Sequence, residues 1–133
     1  MKVTAFGHAL PKRSVTNEEL TQFLDTTDEW IRDHTGIESR RILSGKETLS
    51  GLGAKASKMA LARAGITAKE IDFILCSTTC GEMTFPATAC LIQERLGATC
   101  PALDLNAGCT GFLYALQMAD ALIASGKAHR VLV

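Results

Sequence analysis

Three stretches of this chain bring together residue types that can do chemistry. The first is DLNAGCTGF, Asp104 to Phe112. Cys109 stands there among the small residues Ala107, Gly108 and Gly111, between an apolar run that reads as a strand and one that reads as a helix. Small neighbours permit a tight strand-to-helix turn and leave a side chain accessible on it. A helix N-terminus stabilises an adjacent anion, and the anion is the form of a thiol that attacks carbon. Free backbone amides at the same turn can hold the oxyanion of a tetrahedral intermediate. The competing reading is a small buried cysteine, the ordinary fate of a free thiol.

The second stretch is DTTDEWIRDHTGI, Asp25 to Ile37, which holds the only tryptophan, Trp30. Helical spacing puts Thr26, Trp30 and His34 on one face and Ile31 on another. An indole on a polar face offers a platform for a planar ligand such as adenine. The alternative is a half-buried tryptophan packed on a neighbouring loop. The third stretch is GEMTFPATA, where Phe85 either staples a helix start to its loop or lines a pocket.

Composition narrows the classes of function. The chain has 133 residues, 47% of them apolar and 21% charged, which suits one soluble, core-forming domain. Fourteen basic and fourteen acidic side chains cancel, an argument against a nucleic-acid binder. No apolar run approaches the ~20 residues that span a bilayer, and no secretory signal opens the chain. A cytoplasmic, soluble protein is the expectation. The cysteines (Cys76, Cys80, Cys90, Cys100, Cys109) are odd in number and include no CxxC pair, so neither a disulfide framework nor a zinc site is expected. Cys76 and Cys90 read as core, while Cys80 and Cys100 read as loop or strand-end thiols with no assigned role.

The elements that must position these residues are marked by their punctuation. Val3 to Leu10 reads as a first strand stopped by Pro11. Thr16 with Glu19 and Thr26 with Glu29 fit capping boxes for two short helices, and Gly36 closes the second. Ile37 to Leu43 reads as a short strand. A helix is predicted over Leu49 to Ala64, with Leu52, Ala56, Met59 and Ala60 as its apolar stripe and Gly65 as its stop. Thr67 with Glu70 leads into the buried strand IDFILCST. A helix from Pro86 to Leu96, a strand from Cys100 to Asn106, a helix from Thr110 to Ser125 and a strand from His129 to Val133 complete the alternation. Such alternation implies an α/β layer with parallel strands. The helix after Cys109 is apolar nearly all round and needs cover on more than one side. The apolar end HRVLV reads as the front part of something longer.

The stretches DTTDEWIRDHTGIESRRI, ETLSGLGAKASKMALARAGI, FPATACLIQERLG and DLNAGCTGFLYAL together resemble the N-terminal part of β-ketoacyl-acyl-carrier-protein synthase III, the condensing enzyme that begins type II fatty-acid synthesis. The resemblance implies an α/β thiolase-like fold. Residues 1–133 would be the N-terminal half of its layered αβαβα architecture, a mixed sheet flanked by helices, and the C-terminal half is absent from this chain. It also implies an acyltransferase in which Cys109 accepts the acyl group of acetyl-CoA or another acyl-CoA starter. Malonyl-acyl-carrier protein is then decarboxylated, and its carbanion attacks the thioester. By the same resemblance Trp30 stacks on the CoA adenine and Thr26 helps hold the base. His34 stands where the family usually has an arginine on CoA phosphate, and Phe85 reaches the acyl pocket of the partner subunit in a homodimer. The CoA thioester is a substrate; no cofactor or metal is implied. The His and Asn that drive decarboxylation belong to the missing half, and none of His8, His34 and His129 stands in that motif's context. Two alternatives stay open: a non-catalytic acyl-CoA-binding or dimerisation module of the same fold, and a related thiolase-fold acyltransferase with a different starter.

Overall fold

The larger part of the chain is organised by one strand, β3 (Phe73–Ser77), whose side chains alternate between two helical layers. A computed structural model describes all 133 residues. β3 lies centrally in a three-stranded parallel sheet, between β4 (Ala102–Leu105) and β5 (Val131–Leu132). Ile74 and Cys76 face a core with Leu61, Ala89, Ala98 and Cys100, while Leu75 and Phe73 face Ala115 and Ala119 on the other side. The first core belongs to α3 (Leu49–Ala64) and α4 (Thr88–Leu96), the second to α5 (Gly111–Ala124). The helices fall on opposite faces because the two crossovers run in opposite directions from their first strands, and right-handed crossovers then demand it.

Close approach in these layers depends on glycine. A Cβ on Gly53 of α3 would lie 2.5 Å from Ile92 Cδ1 of α4, and one on Gly7 would lie 2.0 Å from the Ala56 carbonyl oxygen. The segment before Ala9 therefore rests directly on α3, where Arg63 also donates to the Phe6 carbonyl at 2.8 Å. This corrects two sequence expectations. Val3–Leu10 forms no strand, because no strand of the chain pairs with it, and Phe6 is 68% exposed. The most buried positions of α3 are Ser50, Ala54 and Leu61, not the expected stripe of Leu52, Ala56, Met59 and Ala60, which is only half-buried. The small side chains are drawn inward because α4 packs so near.

The contacts set Leu10–Glu47 apart as a second unit. It holds an antiparallel pair, β1 (Arg13–Thr16) with β2 (Ser39–Ile42), and two short helices, α1 (Asn17–Thr21) and α2 (Asp28–Thr35). Thr16 and Glu19 form the expected capping box of α1. The cap of α2 is Thr27, whose hydroxyl accepts from the Trp30 amide at 3.1 Å, rather than Thr26. Gly36 closes α2 at φ 71°, a conformation that costs glycine nothing. Asn17 is fully buried and ties the unit together, its amide donating to Asp28 Oδ1 and the Ile37 carbonyl while its oxygen accepts from Arg40.

The remaining elements follow the sequence closely, with one shift. α4 begins at Thr88, not Pro86, because its first free amides are held by a carboxylate from elsewhere in the fold: Thr88 and Ala89 donate to Asp104 Oδ2 and Oδ1 at 2.8 and 2.7 Å. α5 buries only Gly111, Ala115 and Ala119, and leaves Phe112, Leu113, Tyr114 and Met118 exposed. Its opposite side meets no layer of this chain. No helix is long and apolar enough to cross a membrane.

Asp72 joins β3 to the approach of β5 by accepting from the His129 and Arg130 amides at 2.7 and 2.9 Å. Those bonds hold its carboxyl below the usual aspartate range. A depressed folded-state pKa stabilises the fold above the unfolded value of ~4 and loses that contribution as pH falls through the lower folded value. Urea titrations of the wild type and Asp72→Asn between pH 6 and pH 3 should therefore show the variant less stable at pH 6 and the gap narrowing toward pH 3. A gap that stays constant with pH would rule out the carboxylate as its source.

Candidate functional site

Cys109 lies in a 3-10 turn, Gly108–Thr110, that joins β4 to α5. The turn is forced by two glycines. Gly108 sits at φ 55°, and a Cβ on Gly111 would lie 2.3 Å from Ser77 Oγ at the end of β3. Gly111 thus lets α5 begin against the sheet, and Cys109, two residues earlier, is left exposed. Thr110 Oγ1 donates to the Ala107 carbonyl at 2.9 Å and stiffens the turn. Amides at the head of a helical turn have no acceptor within it, so this is a place where a developing negative charge is met by N–H groups.

The other four thiols are differently placed. Cys100 is buried, Cys76 and Cys90 are partly buried, and only Cys80 shares the exposure of Cys109. Burial pushes the Cys76 thiol up to about 11, with the Asp104 charge beside it adding to the effect. Burial likewise raises Cys100. Neither ionises at neutral pH, which leaves Cys109 and Cys80 as the accessible sulfurs. Cys80 sits in an irregular loop, whereas Cys109 leads straight into a long helix.

Phe85 is 86% exposed, on the loop between β3 and α4. It staples nothing within this chain. The loop is nevertheless tied down just before it: the Glu82 amide donates to Thr88 Oγ1 at 3.1 Å, and the Ser50 amide donates to Glu82 Oε2 at 2.7 Å.

In the second unit, Thr26, Trp30 and Ile31 line one depression of about 530 Å3 together with Leu24, Asp25 and Thr27. Trp30 is 55% exposed, and its indole stacks on the His34 imidazole with centroids 4.2 Å apart and planes 20° from parallel. His34 Nδ1 donates to the Trp30 carbonyl at 2.8 Å, which fixes the ring against the indole. Trp30 is thus beside Thr26 in the depression and stacked on His34, while Thr26 precedes the helix and His34 does not line the depression. Thr26 Oγ1 is buried without a hydrogen-bond partner, a cost that a ligand hydrogen bond would relieve. Arg32, on the same helix, is engaged by Glu38 at 2.7 Å and lies 3.7 Å from Asp28. No group of three His, Cys, Asp or Glu side chains is placed to hold a metal ion.

Sequence reasoning reached Asp104 and Glu82 only as members of the Cys109 and Phe85 stretches, and gave Ser50 no role.

Known proteins resemble this chain over nearly its whole length. Residues 103–133, which include Cys109, match the family model for 3-oxoacyl-[acyl-carrier-protein (ACP)] synthase III. The chain is 47% identical over 133 residues to the β-ketoacyl-[acyl-carrier-protein] synthase III of Xanthomonas campestris pv. campestris, covering 99% of itself and 41% of that protein. It superposes on the 3-oxoacyl-[acyl-carrier-protein] synthase III of Aquifex aeolicus with a TM-score of 0.92 and 44% identity, covering 98% of this chain and 42% of the other. The priming β-ketosynthase of the R1128 polyketide pathway gives a TM-score of 0.88 at 38% identity, with coverage of 96% and 38%. The chain spans about two-fifths of the length of the curated relatives it matches. By sequence and by fold it matches an N-terminal portion of β-ketoacyl-acyl-carrier-protein synthase III proteins and shares their α/β thiolase-like fold.

Proposed function

We propose that this chain is the nucleophile-bearing N-terminal half of an acyltransferase that initiates fatty-acid synthesis. The observation that carries the reading is Cys109: an exposed thiol on a glycine-shaped turn at the head of α5, inside the segment that matches the family model. The Cys109 thiolate attacks the carbonyl carbon of acetyl-CoA or another acyl-CoA starter. Turn amides stabilise the tetrahedral oxyanion, the CoA thiolate leaves, and an acyl-cysteine thioester remains. The second half of the reaction, decarboxylation of malonyl-acyl-carrier protein and attack of its carbanion, needs a His and an Asn that the family resemblance does not assign to these 133 residues.

Trp30 and Thr26 form the nucleotide end of the CoA site in this reading, with the exposed indole as platform and the unpartnered Thr26 hydroxyl as donor or acceptor to the base. His34 occupies the phosphate-binding position. Phe85 projects toward the acyl pocket of a second subunit in a homodimer, and its exposure supports that role. The setting is cytoplasmic. The exposed Phe112, Leu113, Tyr114 and Met118 favour a second reading as well, in which the chain is a dimerisation or acyl-CoA-binding module without turnover.

Incubation with acetyl-CoA should add one acetyl group, released by hydroxylamine and mapped to Cys109, and Cys109→Ser should abolish it. Iodoacetamide near pH 7 should label Cys109 ahead of Cys80 and leave Cys76, Cys90 and Cys100 protected. Acetylation elsewhere would overturn the assignment. CoA binding without any acetyl transfer would favour the module.

Saturating CoA should change the emission of Trp30, which is the only tryptophan. His34→Arg should tighten CoA binding by on the order of 1 kcal/mol, the value of a charge-assisted hydrogen bond to phosphate. An unchanged spectrum with binding confirmed by calorimetry would remove Trp30 from the site.

A further inference from the structure

The loop that carries Phe85 is held at two ends by the N-termini of two helices. At one end, Glu82 reaches α3: its Oε2 accepts from the Ser50 amide at 2.7 Å, in the first turn, where helix amides lack partners. Ser50 is itself fully buried, and its hydroxyl accepts from Arg95 Nε at 2.9 Å, so a cation from the last turn of α4 stands beside the same carboxylate. At the other end, the loop meets α4. The Glu82 amide donates to the hydroxyl of Thr88, a fully buried residue whose own amide is held by Asp104. Gly81 closes the gap: a Cβ there would lie 3.1 Å from Thr88 Oγ1 and 3.5 Å from Asp104 Oδ2.

Only Met83 to Ala87 spans the distance between the Glu82 and Thr88 anchors, and Phe85 is its centre. Five residues pinned at both ends have little freedom, because short closed loops sample few conformations. An aromatic ring exposed in this chain is thereby aimed by contacts that lie beneath it. The Ser50 hydrogen bonds also hold the Glu82 carboxyl below the usual glutamate range, so the anchor is ionised throughout the neutral region.

We infer that Glu82 is the positioning residue for Phe85 and, through it, sets which acyl chains reach the partner subunit's Cys109. Glu82 touches no substrate in this scheme. Its carboxylate fixes the loop, and the loop fixes the ring. The selectivity part rests on the reading of Phe85 as an acyl-pocket residue; the loop anchor does not.

Two measurements on the same proteins separate the parts. Cys80 is exposed and adjoins the pinned segment, so its iodoacetamide rate relative to Cys109 reports loop order. Glu82→Ala should raise that ratio on the order of tenfold, the loss of one charge-assisted hydrogen bond. Glu82→Gln, which keeps an acceptor of the same reach, should stay near the wild type. Competition between acetyl-CoA and hexanoyl-CoA for Cys109, read by mass spectrometry, should shift several-fold in Glu82→Ala and be restored in Glu82→Gln. A mere loss of stability would slow both acylations equally and leave the ratio unmoved. Unchanged Cys80 labelling and an unchanged acyl ratio in Glu82→Ala overturn the inference. If the wild type accepts no acyl group, the reading of Cys109 and the selectivity part fall together, and the Cys80 rates alone decide the anchor.

Discussion

The carboxylate of Asp104 stands at the junction on which the larger unit depends. It leaves the sheet on the face turned toward α4, one residue before β4 ends, and takes the two amides that open α4. A carboxylate at a helix N-terminus satisfies orphan donors and opposes the positive end of the helix dipole at once. Here it also binds the beginning of one β-α unit to the end of the next strand. α4 has no side-chain cap of its own, since Ala87 occupies that position, so the charge must come from elsewhere in the fold. The Thr88 hydroxyl then carries the constraint outward to Glu82, and Glu82 carries it to the first turn of α3. The turn that presents Cys109 begins just beyond Asp104 in sequence, so the same strand end anchors that turn and the Phe85 loop.

The charge has a second consequence, for the thiols. Cys76 pairs with Asp104 across the parallel ladder, and both face the α3 and α4 layer. Burial and that neighbouring negative charge keep the Cys76 sulfur protonated. Cys109 lies past the end of the sheet and escapes this burial. Exposure of one sulfur and burial of the other therefore follow from where each falls relative to the strand ends.

Local signals were legible in the sequence where a residue's partner lay within one turn. The Thr16–Glu19 box, the Gly36 and Gly65 stops, the bounds of α3 and the shared helix face of Trp30 and His34 at i, i+4 all depend on nearby residues. Long-range partners were not legible. Val3 to Leu10 has the composition of a strand, but a strand exists only with a ladder beside it, and this segment packs on α3 through Gly7 instead. Thr26 and Thr27 are chemically equivalent caps, and only the path of the backbone selects the second. The inward face of α3 was misjudged because Gly53 allows Ile92 to approach so closely that small residues, rather than Met59, sit deepest. Glu82, Ser50 and Arg95 are far apart in sequence, and nothing local marks them as one group.

Hydrogen exchange at the Thr88 and Ala89 amides tests the role of Asp104 most directly. In the wild type these two amides should be protected to a level near those of Ile74 and Leu75 in the central strand. Asp104→Ala should accelerate them on the order of 10- to 100-fold, as expected for the loss of charge-assisted hydrogen bonds, and should do so more than it accelerates the strand amides. Equal exchange of Thr88 and Ala89 in both proteins, or rapid exchange already in the wild type, would contradict the account.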